Sequence, residues 1–127
     1  MPQAFLMAFV LVVDDDSTVR RIILLLLSSE GYETETAKDG AEALALMRQR
    51  RPCLVLLDIN MPLMDGWEFR KQQLEDPALA DVPVVCLTGI VHPEDVERIL
   101  GVPCLGKPVH FSSLIRAVEK FCRRSAS

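Results

Sequence analysis

The run Phe9-Val10-Leu11-Val12-Val13-Asp14-Asp15-Asp16 decides the fold. Its apolar part shows no alternation, which fits a short strand buried on both faces, as in a parallel sheet. It then stops abruptly on three carboxylates. Beyond them the period changes. Ser17–Glu30 carries Val19, Ile22, Ile23, Leu26 and Leu27 at helical spacing, and Gly31 supplies a stop. A buried strand, an acidic corner and an amphipathic helix make one unit.

Reading outward, the unit recurs. Tyr32–Ala37 alternates through Glu33 and Glu35 as a strand with one polar face. Asp39 can cap a helix from Gly40 to about Arg50, with Ala41, Leu44, Ala45 and Met47 inward, and Pro52 breaks it. Cys53–Leu57 is a second buried strand and ends on Asp58. Asn60-Met61-Pro62 through Asp65-Gly66 is turn chemistry, leading to a helix from about Trp67 to Leu74. Pro83–Leu87 is a strand ending in Thr88-Gly89. A short helix over Pro93–Leu100 would face Val96, Ile99 and Leu100 inward. Val102–Gly106 is a last strand, ending in Lys107-Pro108. Ser112 or Ser113 starts a final helix with Leu114, Ile115, Val118 and Phe121 on one face. Met1–Ala8 reads as a lead-in and Arg123–Ser127 as a frayed end. Five strand–helix repeats predict an α/β fold, a parallel sheet covered on both faces.

Composition agrees with that expectation. The chain has 127 residues, half of them hydrophobic and a quarter charged, which suits one domain with a real core and excludes disorder. Fourteen basic against eighteen acidic residues leave a net charge of −4, without the basic footprint of a nucleic-acid binder. No apolar run approaches the roughly 20 residues of a membrane span. No Lys or Arg precedes Arg20, so no secretory signal is expected, and a cytoplasmic location is. Cys53, Cys86, Cys104 and Cys122 have neither zinc-site nor disulfide-framework spacing. They read as small buried hydrophobes in a reducing compartment.

The chemistry lies at the strand ends. Asp14, Asp15, Asp58, Thr88 and Lys107 all follow strands. In open α/β sheets, ligands bind outside the carboxyl ends, where strand order reverses. A flavodoxin-like order, 2-1-3-4-5, would bring these residues together. Clustered carboxylates repel unless a cation sits among them, and all-oxygen ligands suit Mg²⁺. Lys107 adds a second positive charge, Thr88 a hydroxyl, and Asp58 a carboxylate that can be phosphorylated. Asp14 and Asp16 also suit helix capping. Trp67 reads as packing, Asp65-Gly66 as turn geometry, and His110 as a capping or solvent-facing residue.

These stretches together resemble a response-regulator receiver domain of two-component signalling. The matching stretches are Val10–Asp16, Leu57–Pro62 with Asp65-Gly66, Leu87-Thr88-Gly89 and Lys107-Pro108. The resemblance implies that Asp58 is the phosphoacceptor. It implies Asp15 as a direct ligand of Mg²⁺ (or Mn²⁺), with Asp14 acting largely through water and the backbone carbonyl of Asn60 completing the set. It implies Thr88 as the switch hydroxyl, Gly89 as a small position that keeps the site open, Lys107 as the phosphoryl-binding lysine, and a cis Lys107–Pro108 bond. The donor would be a phosphohistidine on a sensor histidine kinase or a histidine phosphotransfer protein, or a small acyl phosphate. Slow self-hydrolysis would then reset the switch, so the resemblance implies a self-phosphorylating and autodephosphorylating signalling domain rather than a turnover enzyme.

The sequence also departs from the family. An aromatic usually stands three residues before the lysine; here it is Cys104, and Gly101-Val102-Pro103 replaces the usual lead into strand five. The fourth helix should be short, and the output face atypical. A receiver occupying residues 1–127 leaves no output domain, so output to an unidentified protein would run through contacts, without nucleic acid or membrane. Two alternatives stand beside this reading. Asp14-x-Asp16-x-Thr18 also fits the opening motif of haloacid-dehalogenase-like phosphatases, with Asp14 as nucleophile and Asp16 as acid/base. A receiver fold could also serve as a phosphate shuttle or sink, or as a constitutive binding module.

Overall fold

The computed structural model describes residues 8–59, 66–89 and 93–124. Its elements alternate throughout: β1 (Val10–Val13), α1 (Ser17–Ser29), β2 (Thr34–Ala37), α2 (Gly40–Gln49), β3 (Leu54–Asp58), α3 (Gly66–Glu75), β4 (Val84–Thr88), α4 (Pro93–Leu100), β5 (Cys104–Gly106) and α5 (Phe111–Phe121). The five strands are parallel, in the order β2-β1-β3-β4-β5. This is the flavodoxin-like order the sequence predicts, with a short α4.

Alternation along the strands builds two cores. Leu11, Val13, Val55 and Leu57 point to one face and pack with Ala43, Leu44 and Met47 of α2, Phe69 of α3, and Val96 and Leu100 of α4. Val10, Val12, Leu54, Leu56 and Leu87 point to the other and meet Ile23 and Leu27 of α1 and Leu114 and Val118 of α5. Burial on both faces is why β1, β3 and β4 read as continuous apolar runs.

Local chemistry sets the helix ends. Asp16 caps α1, its side chain accepting from the N–H groups of Thr18 and Val19. Asp39 caps α2 by accepting from Glu42. Gly31, at φ 91°, takes the left-handed turn that ends α1, while Tyr32 N–H closes back on the Leu27 carbonyl.

The structure corrects several inward-facing assignments. Ile22, Phe121 and, at 71% exposure, Ile99 point to solvent. Ala41 and Ala45 are exposed, whereas Ala43 packs inward. A sheet face covers only a narrow stripe of each helix, so an apolar stripe wider than that stripe is left partly outside. The last helix begins at Phe111 rather than Ser112 or Ser113, with His110 at its N-cap and no side-chain capping bond. Trp67 packs against the α2–α4 core, as expected.

The cysteines need a larger correction. Cys86 and Cys104 are free and buried, but Cys53 and Cys122 form a disulfide with a Cα–Cα separation of 5.5 Å. They lie 69 residues apart in sequence, and only the return of α5 against the start of β3 makes them neighbours. Spacing along the chain could not reveal that.

Candidate functional site

The parallel register brings the carboxyl ends of the central strands together. Val13 pairs with Leu57, so the residues following β1 stand beside Asp58 at the end of β3. Thr88 at the end of β4 pairs with Gly106, one residue before Lys107. Carboxylate oxygens of Asp14, Asp15 and Asp58 all lie within 4.8 Å of one another. Asp14, Asp58 and Thr88 are buried, whereas Asp15 is exposed.

One ammonium faces the three carboxylates. Lys107 Nζ lies 3.3 Å from Asp14 Oδ2 and 3.3 Å from Asp58 Oδ1. Partial burial pulls the lysine's pKa down, but these two carboxylates outweigh it and hold the value above the ordinary one. The amine therefore stays charged. The lysine is itself fixed: its backbone N–H donates to the Thr88 carbonyl at 2.7 Å, and the bond to Pro108 is cis, as the resemblance implies.

Asp14 is held at every polar group. Its N–H donates to the Ala37 carbonyl, Oδ1 accepts from Asp16 N–H at 2.9 Å, Oδ2 faces Lys107, and its carbonyl accepts from Arg20 Nη1 at 2.7 Å. Asp15, by contrast, has no partner among the described residues. The arrangement suits a hard cation. At an effective dielectric of about 20, two carboxylates with oxygens within 4.8 Å repel by at least about 3 kcal/mol, and one lysine cannot balance three of them. All the donors are oxygens, as Mg²⁺ prefers. The expected Asn60 carbonyl lies outside the described residues.

Two glycines flank the site. A Cβ on Gly89 would meet nothing within 4 Å among the described residues, so packing against them does not demand the glycine. Gly66 does more than shape a turn. A Cβ there would fall 2.7 Å from Ile59 Cα and 3.1 Å from the Asp58 carbonyl. Gly66 N–H also donates to the Ile59 carbonyl at 2.9 Å, which seats the start of α3 directly on the residue after Asp58. Arg20 also reaches the site, through the Asp14 carbonyl, although no motif names it. A cation closing the first turn of a helix that carries no acidic residue there was the available signal.

A flavodoxin-like sheet with a lysine-bridged acidic cluster at its carboxyl edge is the architecture of a phosphoacceptor receiver. A family model described as the response regulator receiver domain matches residues 10–119, and the chain belongs to that family. It is 32% identical over 115 residues to the polar-differentiation response regulator DivK of Brucella anthropi, covering 88% of this chain and 94% of that one. Among solved structures, the chemotaxis response regulator CheY4 of Vibrio cholerae matches with a TM-score of 0.81 at 35% identity, over 91% of this chain and 98% of that one. The receiver domain of a signal transduction histidine kinase from Syntrophus aciditrophicus matches with a TM-score of 0.80 at 31% identity, over 90% and 89% of the two chains. The phosphatase reading falls with the family, and Asp16, its required acid/base, spends its carboxylate on capping α1. No helix among the described residues is long and apolar enough to cross a membrane.

Proposed function

We propose that the domain accepts a phosphoryl group on Asp58 from a phosphohistidine of a sensor kinase or phosphotransfer protein. The observation that carries this is the Asp14–Asp15–Asp58 cluster bridged by Lys107 at the sheet's carboxyl edge. An Asp58 carboxylate oxygen attacks phosphorus and the phosphorus–nitrogen bond breaks. The bonding pair stays on the imidazole, which recovers a proton from solvent. Lys107 sits where it can follow the charge moving onto the phosphoryl oxygens. The Thr88 hydroxyl, at the neighbouring strand end, donates to one of them. Water later cleaves the acyl phosphate and regenerates Asp58.

Asp15 and Asp58 are suited to hold Mg²⁺ or Mn²⁺ directly, with Asp14 acting through water and Asn60 through its carbonyl. When bound, the ion supplies charge neutralisation at the phosphoryl oxygens.

Output runs through protein contacts, and the output face is atypical. Cys104 stands where an aromatic would report the movement of Thr88. It is buried, and burial raises its thiol pKa, so it acts as a small packed residue. Its N–H donates to Glu97 Oε2 at 2.9 Å, which ties α4 to β5. The same cysteine favours a second reading, a phosphate shuttle without a surface switch. With a beryllofluoride phosphoryl mimic bound, motion of α4 and β5 as in an ordinary receiver would refute the atypical face. Stillness with intact phosphotransfer would favour the shuttle.

The primary test is labelling with acetyl phosphate and Mg²⁺, followed by mass mapping of the modified residue. We expect label on Asp58 and none in Asp58→Asn. Label on Asp14 would overturn the reading.

A further inference from the structure

The Arg20 side chain lies against the electrostatic preference of its own helix. It closes the first turn of α1, where the macrodipole disfavours a cation; that turn holds no acidic residue of its own, and the Asp16 carboxylate at the N-cap is taken up by the Thr18 and Val19 N–H groups. Its guanidinium runs back toward the N-terminus, as helical side chains do, and Nη1 donates to the Asp14 carbonyl at 2.7 Å. The interaction is not an ion pair, since the acceptor is a backbone oxygen at the corner where β1 ends.

That oxygen belongs to the peptide unit joining Asp14 to Asp15. The unit is planar, so fixing its oxygen fixes the direction in which Asp15 Cα leaves the corner. Asp14 needs no such help, because its N–H and both carboxylate oxygens are already held. Asp15 is the member of the cluster that has no partner among the described residues, yet it must aim its carboxylate at Asp14 and Asp58. We propose that Arg20 is a positioning residue for Asp15, setting the affinity of the acidic cluster for its divalent cation by clamping the Asp14–Asp15 peptide. This rests on the receiver reading for the identity of the cation, and on the observed hydrogen bond for the mechanism.

The test is a double-mutant cycle on Mg²⁺ affinity, read by calorimetry on the whole chain without any phosphodonor. Arg20→Ala should weaken Mg²⁺ binding about tenfold, the scale seen when an outer partner of a metal ligand is lost. Arg20→Lys, which keeps a donor and the charge, should recover most of that loss. Asp15→Asn should weaken binding on its own, and adding Arg20→Ala to it should cost less than about twofold more, because the clamp has then lost its object. Additive losses, or an Arg20→Ala affinity within about twofold of the parent, would overturn the proposal. Should Arg20→Ala fail to fold, Arg20→Gln, which keeps an amide donor, carries the same cycle with a smaller loss expected. Acetyl phosphate labelling of the parent chain separates the two ideas. Its absence would sink the phosphoacceptor reading, while the Mg²⁺ cycle still decides the role of Arg20.

Discussion

The two ends of the sheet handle charge in opposite ways. At the amino end, three arginines are spent locally. Arg50 pairs with Glu33 at 2.7 Å and lies 4.4 Å over the Phe9 ring. Arg124 stacks 5.3 Å from the Tyr32 ring and donates to the Glu30 carbonyl, and Arg51 pairs with Asp81. The Cys53–Cys122 disulfide lies at this end too. At the carboxyl end, the carboxylates of Asp14, Asp15 and Asp58 cluster together, and Lys107 bridges Asp14 and Asp58. A site that must attract a cation and a phosphoryl group has to keep an imbalance that folding alone would remove. Among the described residues the amino end shows no such acidic cluster, and its paired contacts are expected to serve stability. Changes at the two ends should therefore separate, with amino-end changes altering stability and carboxyl-end changes altering binding.

The largest stability effect should come from the disulfide. Its removal frees a loop of 69 residues in the unfolded chain, for which a loss of about 2–4 kcal/mol is expected. Reduction, or the Cys53→Ser/Cys122→Ser pair, should lower the unfolding free energy read from urea titration by that amount and leave Mg²⁺ affinity unchanged. A matching drop in Mg²⁺ affinity would break the separation of the two ends.

Gly66→Ala should come next, and it tests the boundary from the other side. The new Cβ would strike Ile59 backbone at 2.7 Å, where little can yield, because Ile59 is fully buried. Overpacking of this kind costs about 1–3 kcal/mol. The displaced segment follows Asp58 directly, so the rate of acetyl phosphate labelling should fall along with stability. Loss of stability with labelling intact would show that the approach of α3 does not shape the site.

How much of this was legible in the sequence depends on the same division. The carboxyl end was readable because in a parallel sheet each site residue simply follows a strand. Strand ends could be found from Val13, Leu57 and Leu87 without any knowledge of contacts. Topology then needed one added inference, the order that sets β1 beside β3. The amino end was not readable in that way. Cys53 and Cys122 belong to elements distant in sequence, and Arg124 meets Tyr32 only after α5 has packed. Helix faces were half legible. Ile23, Leu27, Val96 and Val118 are buried as their spacing predicts, but Ile22, Ile99 and Phe121 share that spacing and lie outside. Periodicity fixes which residues share a side, not how much of that side the sheet covers. Gly66 acts through backbone atoms of Ile59, and side-chain patterns carry no trace of such a contact.

The smallest effect should be a pH dependence confined to the amino end. Tyr32, the single tyrosine of the chain, is buried beside Arg124. Burial raises its phenol pKa. Arg124 works against that shift, while Glu119 and Glu30 add to it, and the net result lies above the ordinary value. A folded-state pKa above the unfolded one means that the neutral phenol is the form the fold prefers. Its contribution is complete below the unfolded value of about 10 and is lost as pH rises through the folded value. Phenolate absorbance of the native protein should therefore titrate above the ordinary tyrosine value, with no signal from a second tyrosine to confuse it. Tyr32→Phe should flatten the loss of stability above about pH 10 relative to the parent and leave the neutral-pH Mg²⁺ affinity untouched. Titration at or below the ordinary value would mean that Arg124 outweighs burial, and the amino end would then hold a charge preference of its own.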